Sequence, residues 1–235
     1  MPTAIITGAS KGIGRAISLT LAKAGYAVAL LARSEQELDR LRRDIEGKGG
    51  TAYTFPSDIR SSKGIEAAVA QLTQAHGSVG VLVNNAGLGY FKVVEDLTTE
   101  KWDQVMEVNA RGTFLATRAV VPHMKQQRRG HLINIASDVS RRTFARGSLY
   151  CASKYAQDAF ASAVRQEVRE YGIKVSTIMP GVVRTTFDGN PTDLDKKKTW
   201  LDPQDIADAV LYMLQAPANV VIDELMIHPL SQAYS

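Results

Sequence analysis

Thr7-Gly8-Ala9-Ser10-Lys11-Gly12-Ile13-Gly14 is the stretch of this 235-residue sequence that decides its fold. The apolar run 4–6 precedes it and predicts a buried strand, and apolar residues recur at helical spacing after it, from Ile13 to Ala24. A strand, a glycine turn and a helix, in that order, form the context of a dinucleotide-binding loop.

The three glycines of this stretch each have a physical reason to be there. Gly8 permits a tight turn, Gly12 lets the backbone approach a pyrophosphate, and Gly14 lets the helix pack closely against the strand. The N-terminus of the helix would then offer unpaired N–H groups and a partial positive charge to the phosphates.

Strand-like and helical patterns alternate along the whole chain. Most strand candidates are continuously apolar, as expected for a parallel sheet with helices on both faces. They are 3–7, 27–32, 51–55, 79–84, 131–136, 174–179 and 220–227. Asp202-Pro203 predicts the start of a late helix, and Gly25 and Gly172 mark places where helices should stop. We therefore predict one α/β domain over 1–235, a Rossmann fold whose doubly wound parallel sheet has about seven strands.

Composition limits the classes of function. Hydrophobic residues make up 45% of the chain, charged residues 22%, and the net charge is +4, which is ordinary for a globular protein. Cys151 is the only cysteine and suits a reducing cytosol, so we expect a cytoplasmic protein. The four histidines have no ligand spacing, and no apolar run reaches 18 residues, so we expect neither a metal nor a membrane span. The basic run Lys196–Lys198 has no interleaved aromatic residue, and we expect a solvated loop and no nucleic-acid partner.

Arg33 predicts which dinucleotide the chain binds. It follows the second strand candidate, about twenty residues past the glycine loop, where an Asp or Glu would bind the adenosine ribose. A guanidinium suits a 2′-phosphate instead, and Lys11 adds a second positive charge nearby. We therefore predict NADP(H). The alternative is that Arg33 is solvated and that Glu35 binds the ribose.

Tyr150 and Lys154 lie four residues apart at the start of a predicted helix, so they share one helix face. A phenol has an ordinary pKa near 10. An ammonium about 4 Å away contributes about 4 kcal/mol at an effective dielectric constant of about 20. That interaction would lower the pKa of Tyr150 by about three units, enough for proton exchange with a substrate near pH 7.

Together these motifs resemble the short-chain dehydrogenase/reductase family over nearly the whole chain. The resemblance rests on Thr7–Gly14, Asp58, the run Asn84–Gly87, Asn109, Ser137, Tyr150 with Lys154, and Pro180-Gly181. The end of the chain, from Pro217 to Gln232, is most similar to NADP-dependent 3-hydroxy acid dehydrogenases and to sepiapterin and benzil reductases.

The resemblance implies roles for individual residues. Tyr150 is the general acid–base, Ser137 hydrogen-bonds the substrate oxygen, and Lys154 lowers the tyrosine pKa and holds the nicotinamide ribose. Asn109 kinks a helix and anchors a water that serves Lys154. The further cofactor-binding residues that it implies are Thr7, Ser10, Ile13, Asp58, Ile59, Asn85, Ala86, Gly87, Pro180, Gly181, Val183 and Thr185. Simpler structural roles also stay open, since Asn85 and Asp58 could cap turns and Asn109 could be an ordinary helix residue.

The predicted activity is the NADPH-dependent reduction of a small ketone or 3-oxo acid to its hydroxy form, or the reverse oxidation. The segment 184–201 is short and polar, which argues against a large enclosed apolar substrate. One of Arg141, Arg142 and Arg146 could bind an acidic group of the substrate, although a solvated face is favoured.

Other functions remain as alternatives. They are a 3-oxoacyl-[acyl-carrier-protein] reductase, an NADP(H)-binding regulator without turnover, and a nucleic-acid-binding or structural module. The resemblance also implies a homodimer or homotetramer that pairs the helices near 110–127 and 150–171.

Overall fold

A computed structural model describes residues 1–187 and 198–233 of the chain. One parallel sheet of seven strands carries the fold. The strands are β1 (Thr3–Thr7), β2 (Ala27–Ala32), β3 (Thr51–Pro56), β4 (Val81–Asn84), β5 (Gly130–Ile135), β6 (Ile173–Pro180) and β7 (Glu224–Ile227). Their order across the sheet is β3-β2-β1-β4-β5-β6-β7. The predicted doubly wound α/β sheet is confirmed.

Within the described residues, seven α-helices connect these strands. They are α1 (Gly12–Lys23), α2 (Glu35–Glu46), α3 (Lys63–His76), α4 (Thr99–Met106), α5 (Gly112–Gln127), α6 (Ser148–Val168) and α7 (Pro203–Gln215). Short 3-10 turns stand at Val94–Asp96, Asp138–Ser140 and Arg169–Tyr171, and a π-helical turn, Glu107–Arg111, joins α4 to α5. The predicted start of α7 is confirmed, because the Asp202 side chain caps the helix and Pro203 is its first residue.

Each face of the sheet is covered by its own apolar core. On one face α1, α2 and α7 contribute residues such as Leu21, Leu41 and Val210. On the other face α3, α5 and α6 contribute residues such as Leu72 and Val120. Because both faces are buried, the central strands are continuously apolar in sequence.

Two strands begin later than the sequence pattern predicts. β4 begins at Val81, although Val79 before it is also buried. β7 begins at Glu224, which lies opposite Thr177 and is the first residue that pairs with β6. Val220 and Val221 therefore lie outside the sheet, each about 40% exposed. Lys196, Lys197 and most of the polar segment 184–201 lie outside the described residues.

Candidate active site

The glycine turn after β1 has the geometry that its sequence predicts. Gly8 and Gly12 have φ angles of 64° and 51°, in the left-handed region that favours glycine. A Cβ atom at Gly14 would lie 2.2 Å from the carbonyl oxygen of Gly8, so no larger residue fits there. The turn is therefore closely packed at the start of α1, and its Gly8, Ser10 and Lys11 line the neighbouring cleft.

Thr7 and Asn85 fasten this turn to β4. The Thr7 hydroxyl oxygen accepts hydrogen bonds from the backbone N–H groups of Asn85 and Ala86, each at 3.0 Å. In return, the Asn85 side-chain amide donates to the carbonyl oxygens of Thr7 and Gly8, at 2.9 and 3.2 Å. The side chain of Asn85 thus supports the turn, while Ala86 and Gly87 line the neighbouring cleft.

A cleft of about 550 Å³ opens at the carboxyl ends of β1 to β4. This is the edge of the sheet where the strand order reverses, between β1 and β4. Its lining includes Thr7, Gly8, Ser10, Lys11, Leu31, Ala32, Arg33, Ser34, Ser57, Asp58, Ile59, Arg60, Ser61, Ala86, Gly87, Leu88, Gln104 and Val108. Lys11 lines the cleft and is the N-cap residue of α1. Its side chain makes no capping hydrogen bond to the first N–H groups of the helix.

Ile13, Val183 and Thr185 are predicted to bind the cofactor but are not among the residues that line the cleft. Ile13 is partly buried and packs on the core under α1. Gly12 contacts Thr185, whose Cγ2 atom would lie 3.2 Å from a Cβ atom at Gly12. Val183 forms a parallel β-bridge with Leu201.

Arg33 is exposed and lines the cleft, as do Lys11 and Ser34. Ser34 caps α2 by accepting a hydrogen bond from the Glu37 backbone N–H. Glu35, the alternative ribose ligand, begins α2 and is not among the residues that line the cleft. The two positive charges that the sequence predicts, Lys11 and Arg33, therefore both line the cleft.

Arg60 is a second guanidinium in the cleft that the sequence reasoning missed. Its Nη2 atom lies 2.8 Å from Asp58 Oδ2, and its Nη1 atom lies 3.5 Å from Glu107 Oε2. The Arg60 guanidinium lowers the pKa of Asp58, and Arg33 contributes in the same direction. Asp58 therefore stays ionised within reach of both arginines. The sequence signal for Arg60 is its position two residues after Asp58, which was already predicted to bind the cofactor.

Tyr150 and Ser137 come together where β5 and α6 meet. Ser137 follows β5 and caps a short 3-10 turn, and Tyr150 lies in the first turn of α6. Burial raises the pKa of Tyr150 above its ordinary value, while a hydrogen bond with the Ser137 side chain acts in the opposite direction. Tyr150 therefore holds its proton at neutral pH.

Lys154 does not act on Tyr150 in the way that the four-residue spacing predicts. Its Nζ atom lies 5.9 Å from the centre of the Tyr150 ring. It donates hydrogen bonds to the Ile135 carbonyl oxygen, at 3.0 Å, and to Gln157 Oε1, at 2.9 Å. Burial lowers the pKa of Lys154 to about 7. The expected lowering of the Tyr150 pKa is therefore wrong, because burial is the largest influence on that pKa and raises it.

Asn109 lies fully buried in the π-helical turn between α4 and α5. Its side chain accepts a hydrogen bond from the Leu88 N–H at 2.7 Å and donates to the Leu88 carbonyl and to Ser153 Oγ. A Cβ atom at Gly87 would lie 3.6 Å from Asn109 Oδ1 and 3.7 Å from Lys154 Nζ. The helix irregularity thus brings Asn109 and Lys154 to the same stretch of the cleft wall.

Asp138 is the centre of a polar network that the sequence did not predict. Its Oδ1 atom accepts a hydrogen bond from the Ser137 hydroxyl at 3.1 Å. Its Oδ2 atom accepts from Arg142 and Gln232 and lies 3.2 Å from His228 Nε2. Asp138 is buried, so its charge requires these partners. The network joins the residue after Ser137 to a segment about ninety positions along the chain.

Pro180 and Gly181 lie at the same junction. Pro180 ends β6, and the Gly181 N–H donates to the Ile227 carbonyl at 2.8 Å. A Cβ atom at Gly181 would lie 2.1 Å from Gln232 Oε1, which accepts a hydrogen bond from the Val182 N–H. The glycine is required for this close approach.

Two of the three arginines before α6 are held by carboxylates. Arg141 pairs with Asp158 and Glu224, and Arg142 pairs with Asp138. Arg146 is exposed and has a left-handed backbone, with φ of 68°. These pairs favour a structural role for Arg141 and Arg142.

The described part of the chain contains neither a candidate metal site nor a candidate membrane-spanning helix. Within 1–187 and 198–233, no group of three His, Cys, Asp or Glu side chains could hold a metal ion. Among the same residues, no helix is long and apolar enough to cross a membrane.

Comparisons with known proteins point to one family. The sequence profile of a family described as short chain dehydrogenase matches residues 2–195. Over 234 residues the chain is 31% identical to a sepiapterin reductase of Chlorobaculum tepidum, covering 97% of this chain and 96% of that one. It is 33% identical to a glycine betaine reductase of Emericella nidulans, and the match spans only 18% of that longer protein.

Solved structures show the same likeness. An alcohol dehydrogenase from Thermococcus sibiricus complexed with 5-hydroxy-NADP is 33% identical, with a TM-score of 0.91 over 100% of this chain and 99% of that one. A serine dehydrogenase in its closed form with NADP⁺ is 29% identical, with a TM-score of 0.91 over 99% of this chain and 97% of that one.

Proposed function

Since the chain belongs to the short-chain dehydrogenase family, it is an oxidoreductase that uses NADP(H), and we propose that it interconverts a small ketone or 3-oxo acid and the corresponding alcohol. The proton is transferred by Tyr150. The observation that carries this proposal is the hydrogen bond between the Tyr150 and Ser137 side chains, one helical turn from Lys154, whose Nζ atom lies close to Gly87 in the cleft wall.

The residues of the cleft fit NADP(H). Gly8, Ser10 and Lys11 of the glycine turn line the cleft, and the volume of the cleft and its position at the carboxyl ends of the strands suit a dinucleotide. Backbone N–H groups at the start of α1 would bind the pyrophosphate. Arg33 and Lys11 would bind the 2′-phosphate through charge-assisted hydrogen bonds. When bound, the reduced cofactor supplies the hydride.

Tyr150 acts as the proton donor in the direction of reduction. Because burial raises its pKa, the phenol is protonated at neutral pH. As the carbonyl oxygen takes on negative charge it becomes a far stronger base than a phenolate, so the proton passes to it from the Tyr150 hydroxyl. Ser137 donates a hydrogen bond to the same oxygen and holds it in position.

Lys154 and Asn109 hold the surroundings of Tyr150. We assign Lys154 to the nicotinamide ribose, because its Nζ atom lies close to Gly87 in the cleft wall. Gln157 and the Ile135 carbonyl fix the direction of the amine. Asn109 fixes the loop at Leu88 through two hydrogen bonds, which keeps Gly87 in place.

We also propose that the protein forms a homodimer or homotetramer through α5 and α6. Phe114 and Tyr155 lie on these helices and are 38% and 42% exposed, so each helix offers an aromatic side chain to a partner. Sedimentation as a monomer would contradict this assembly.

Tyr150→Phe tests the proposed chemistry. The variant keeps the ring but loses the transferable proton, so kcat for NADPH-dependent ketone reduction should fall at least about 100-fold. NADPH binding, followed by its fluorescence, should change little. Tyr155→Phe removes an exposed hydroxyl from the same helix and is the matched control.

The substrate panel for this test comprises ketones, 3-oxo esters, α-diketones and 3-hydroxy acids, followed by NADPH absorbance. Activity that survives in Tyr150→Phe at the level of Tyr155→Phe would refute the role of Tyr150.

A further inference from the structure

Three phenylalanines surround Tyr150 and form what we call the aromatic cluster: Phe91, Phe144 and Phe187. The ring centres of Phe91 and Phe187 lie 5.5 and 5.7 Å from that of Tyr150, and Phe91 lies 5.8 Å from Phe144. The Phe91 and Phe187 rings meet Tyr150 edge to face, which is a favoured geometry for aromatic pairs. The reacting hydroxyl is thus carried on a ring enclosed by other rings.

The backbone is shaped to admit these rings. A Cβ atom at Gly89 would lie 2.6 Å from Phe187 and 2.9 Å from Phe91. A Cβ atom at Gly147 would lie 2.5 Å from Phe144. Two glycines in separate loops therefore leave the space that the aromatic cluster occupies, so the arrangement depends on the backbone at both positions.

The aromatic cluster is only partly covered. Phe144 and Phe187 are 45% and 44% exposed. Large apolar side chains exposed together at a reacting group are typical of a binding surface for apolar ligands. Phe187 contacts the Tyr150 ring directly, and Phe144 is joined to it through Phe91.

Charges near this surface do not favour an acidic substrate. Arg141 and Arg142, on the loop that carries Phe144, are held by Asp158, Glu224 and Asp138. Lys154 directs its hydrogen bonds to Ile135 and Gln157. A carboxylate at the aromatic cluster would lose its hydration and find these cations already engaged.

We propose that the aromatic cluster binds the aryl group of the substrate, so the preferred substrates are neutral aryl ketones and aryl diketones rather than 3-oxo acids. This inference rests on the proposed function, because it assigns the substrate of the same site. In the reduction, the carbonyl carbon gains a hydride from NADPH and the oxygen gains the Tyr150 proton. The products are the aryl carbinol and NADP⁺.

Two substrate pairs test the preference. Acetophenone and 2-butanone differ in the aryl group, and ethyl benzoylacetate and benzoylacetate differ in the negative charge. We expect kcat/KM to be at least about tenfold higher for the aryl ketone and for the neutral ester.

Variants test whether the aromatic cluster causes the preference. Phe144→Ala and Phe187→Ala should each lower kcat/KM for acetophenone about tenfold or more, mainly through KM, and should change the value for 2-butanone less than about threefold. Phe144→Leu keeps most of the apolar area and should recover part of the loss. Tyr212→Ala removes an exposed ring from α7 and is the matched control.

Three outcomes would overturn the inference. They are an equal loss for both ketones in the cluster variants, no preference for the aryl ketone in the wild-type protein, and a preference for benzoylacetate that Arg146→Ala abolishes. If ketones are reduced through Tyr150 without an aryl preference, only this inference fails. If no ketone in the panel is reduced, the proposed function fails with it.

Discussion

Replacing Lys154 by methionine should stabilise the fold at neutral pH while it removes activity. The side chain is buried, and burial lowers its pKa from 10.5 to about 7. In the unfolded chain the amine keeps its ordinary pKa, so between about pH 7 and 10.5 the unfolded chain binds a proton that the folded protein releases. This group therefore makes stability rise with pH in that window. The whole shift corresponds to about 5 kcal/mol. Below pH 7 the buried amine is charged, and the free energy of unfolding is lower by this full amount.

Methionine removes this cost but leaves two oxygen atoms without a donor. They are the Ile135 carbonyl oxygen and Gln157 Oε1, which accept from Lys154 at 3.0 and 2.9 Å. Each unsatisfied acceptor costs about 1–3 kcal/mol. We therefore expect the free energy of unfolding of Lys154→Met to exceed that of the wild type by about 1–2 kcal/mol at pH 6.5.

The change of this difference with pH is the sharper measurement. Wild-type stability gains up to about 1.4 kcal/mol per pH unit above pH 7 from Lys154, whereas the variant gains none from this position. Urea unfolding at pH 6.5, 8 and 9.5 should show the difference shifting by about 3 kcal/mol in favour of the wild type. Lys23→Met, at an exposed position at the end of α1, is the control. A Lys154→Met difference that stays constant across this range would refute the reasoning.

Three further predictions concern the cofactor, the glycine turn and a buried histidine. Arg33→Ala should raise KM for NADPH about 10–100-fold and leave KM for NADH nearly unchanged, because only NADPH carries the 2′-phosphate; an equal rise for both would contradict the assignment. Thr7→Val removes the acceptor for two backbone N–H groups and should lower the free energy of unfolding in urea by about 2–4 kcal/mol, whereas Thr7→Ser should lose much less. Burial lowers the pKa of His131 to about 4, so the unfolded chain binds more protons between about pH 4 and 6.5 and stability falls as the pH drops through that window, by up to about 3 kcal/mol. His131→Gln should lack this acid-dependent loss, and equal urea midpoint shifts between pH 7 and 5 in both proteins would count against it.

Features set by local sequence were predictable. Alternating strand and helix patterns predicted all seven strands of the sheet, and the glycine spacing predicted the turn after β1. Asp202-Pro203 predicted the start of α7, because capping depends only on neighbouring residues. The start of β7 was not predictable, since pairing with β6 determines which residues of a continuous apolar run join the sheet.

Features that depend on burial or on distant contacts were not predictable. The spacing of Tyr150 and Lys154 correctly predicts a shared helix face but gives no information about solvent. The sequence therefore led to a lowered tyrosine pKa, whereas burial raises it. The aromatic cluster draws its rings from three loops, and no periodicity connects Phe91, Phe144 and Phe187.

The junction at Asp138 makes two remote parts of the chain interdependent, the loop 137–142 and the segment 228–232. Ser137, the arginine at 142 and the segment from His228 to Gln232 all contact one buried carboxylate. A swap of the 228–232 segment for that of a homologue would leave the buried Asp138 carboxylate short of hydrogen-bond donors beside the reactive serine, unless the arginine loop were exchanged with it. Directed evolution of this protein should therefore recover changes in these two segments as pairs.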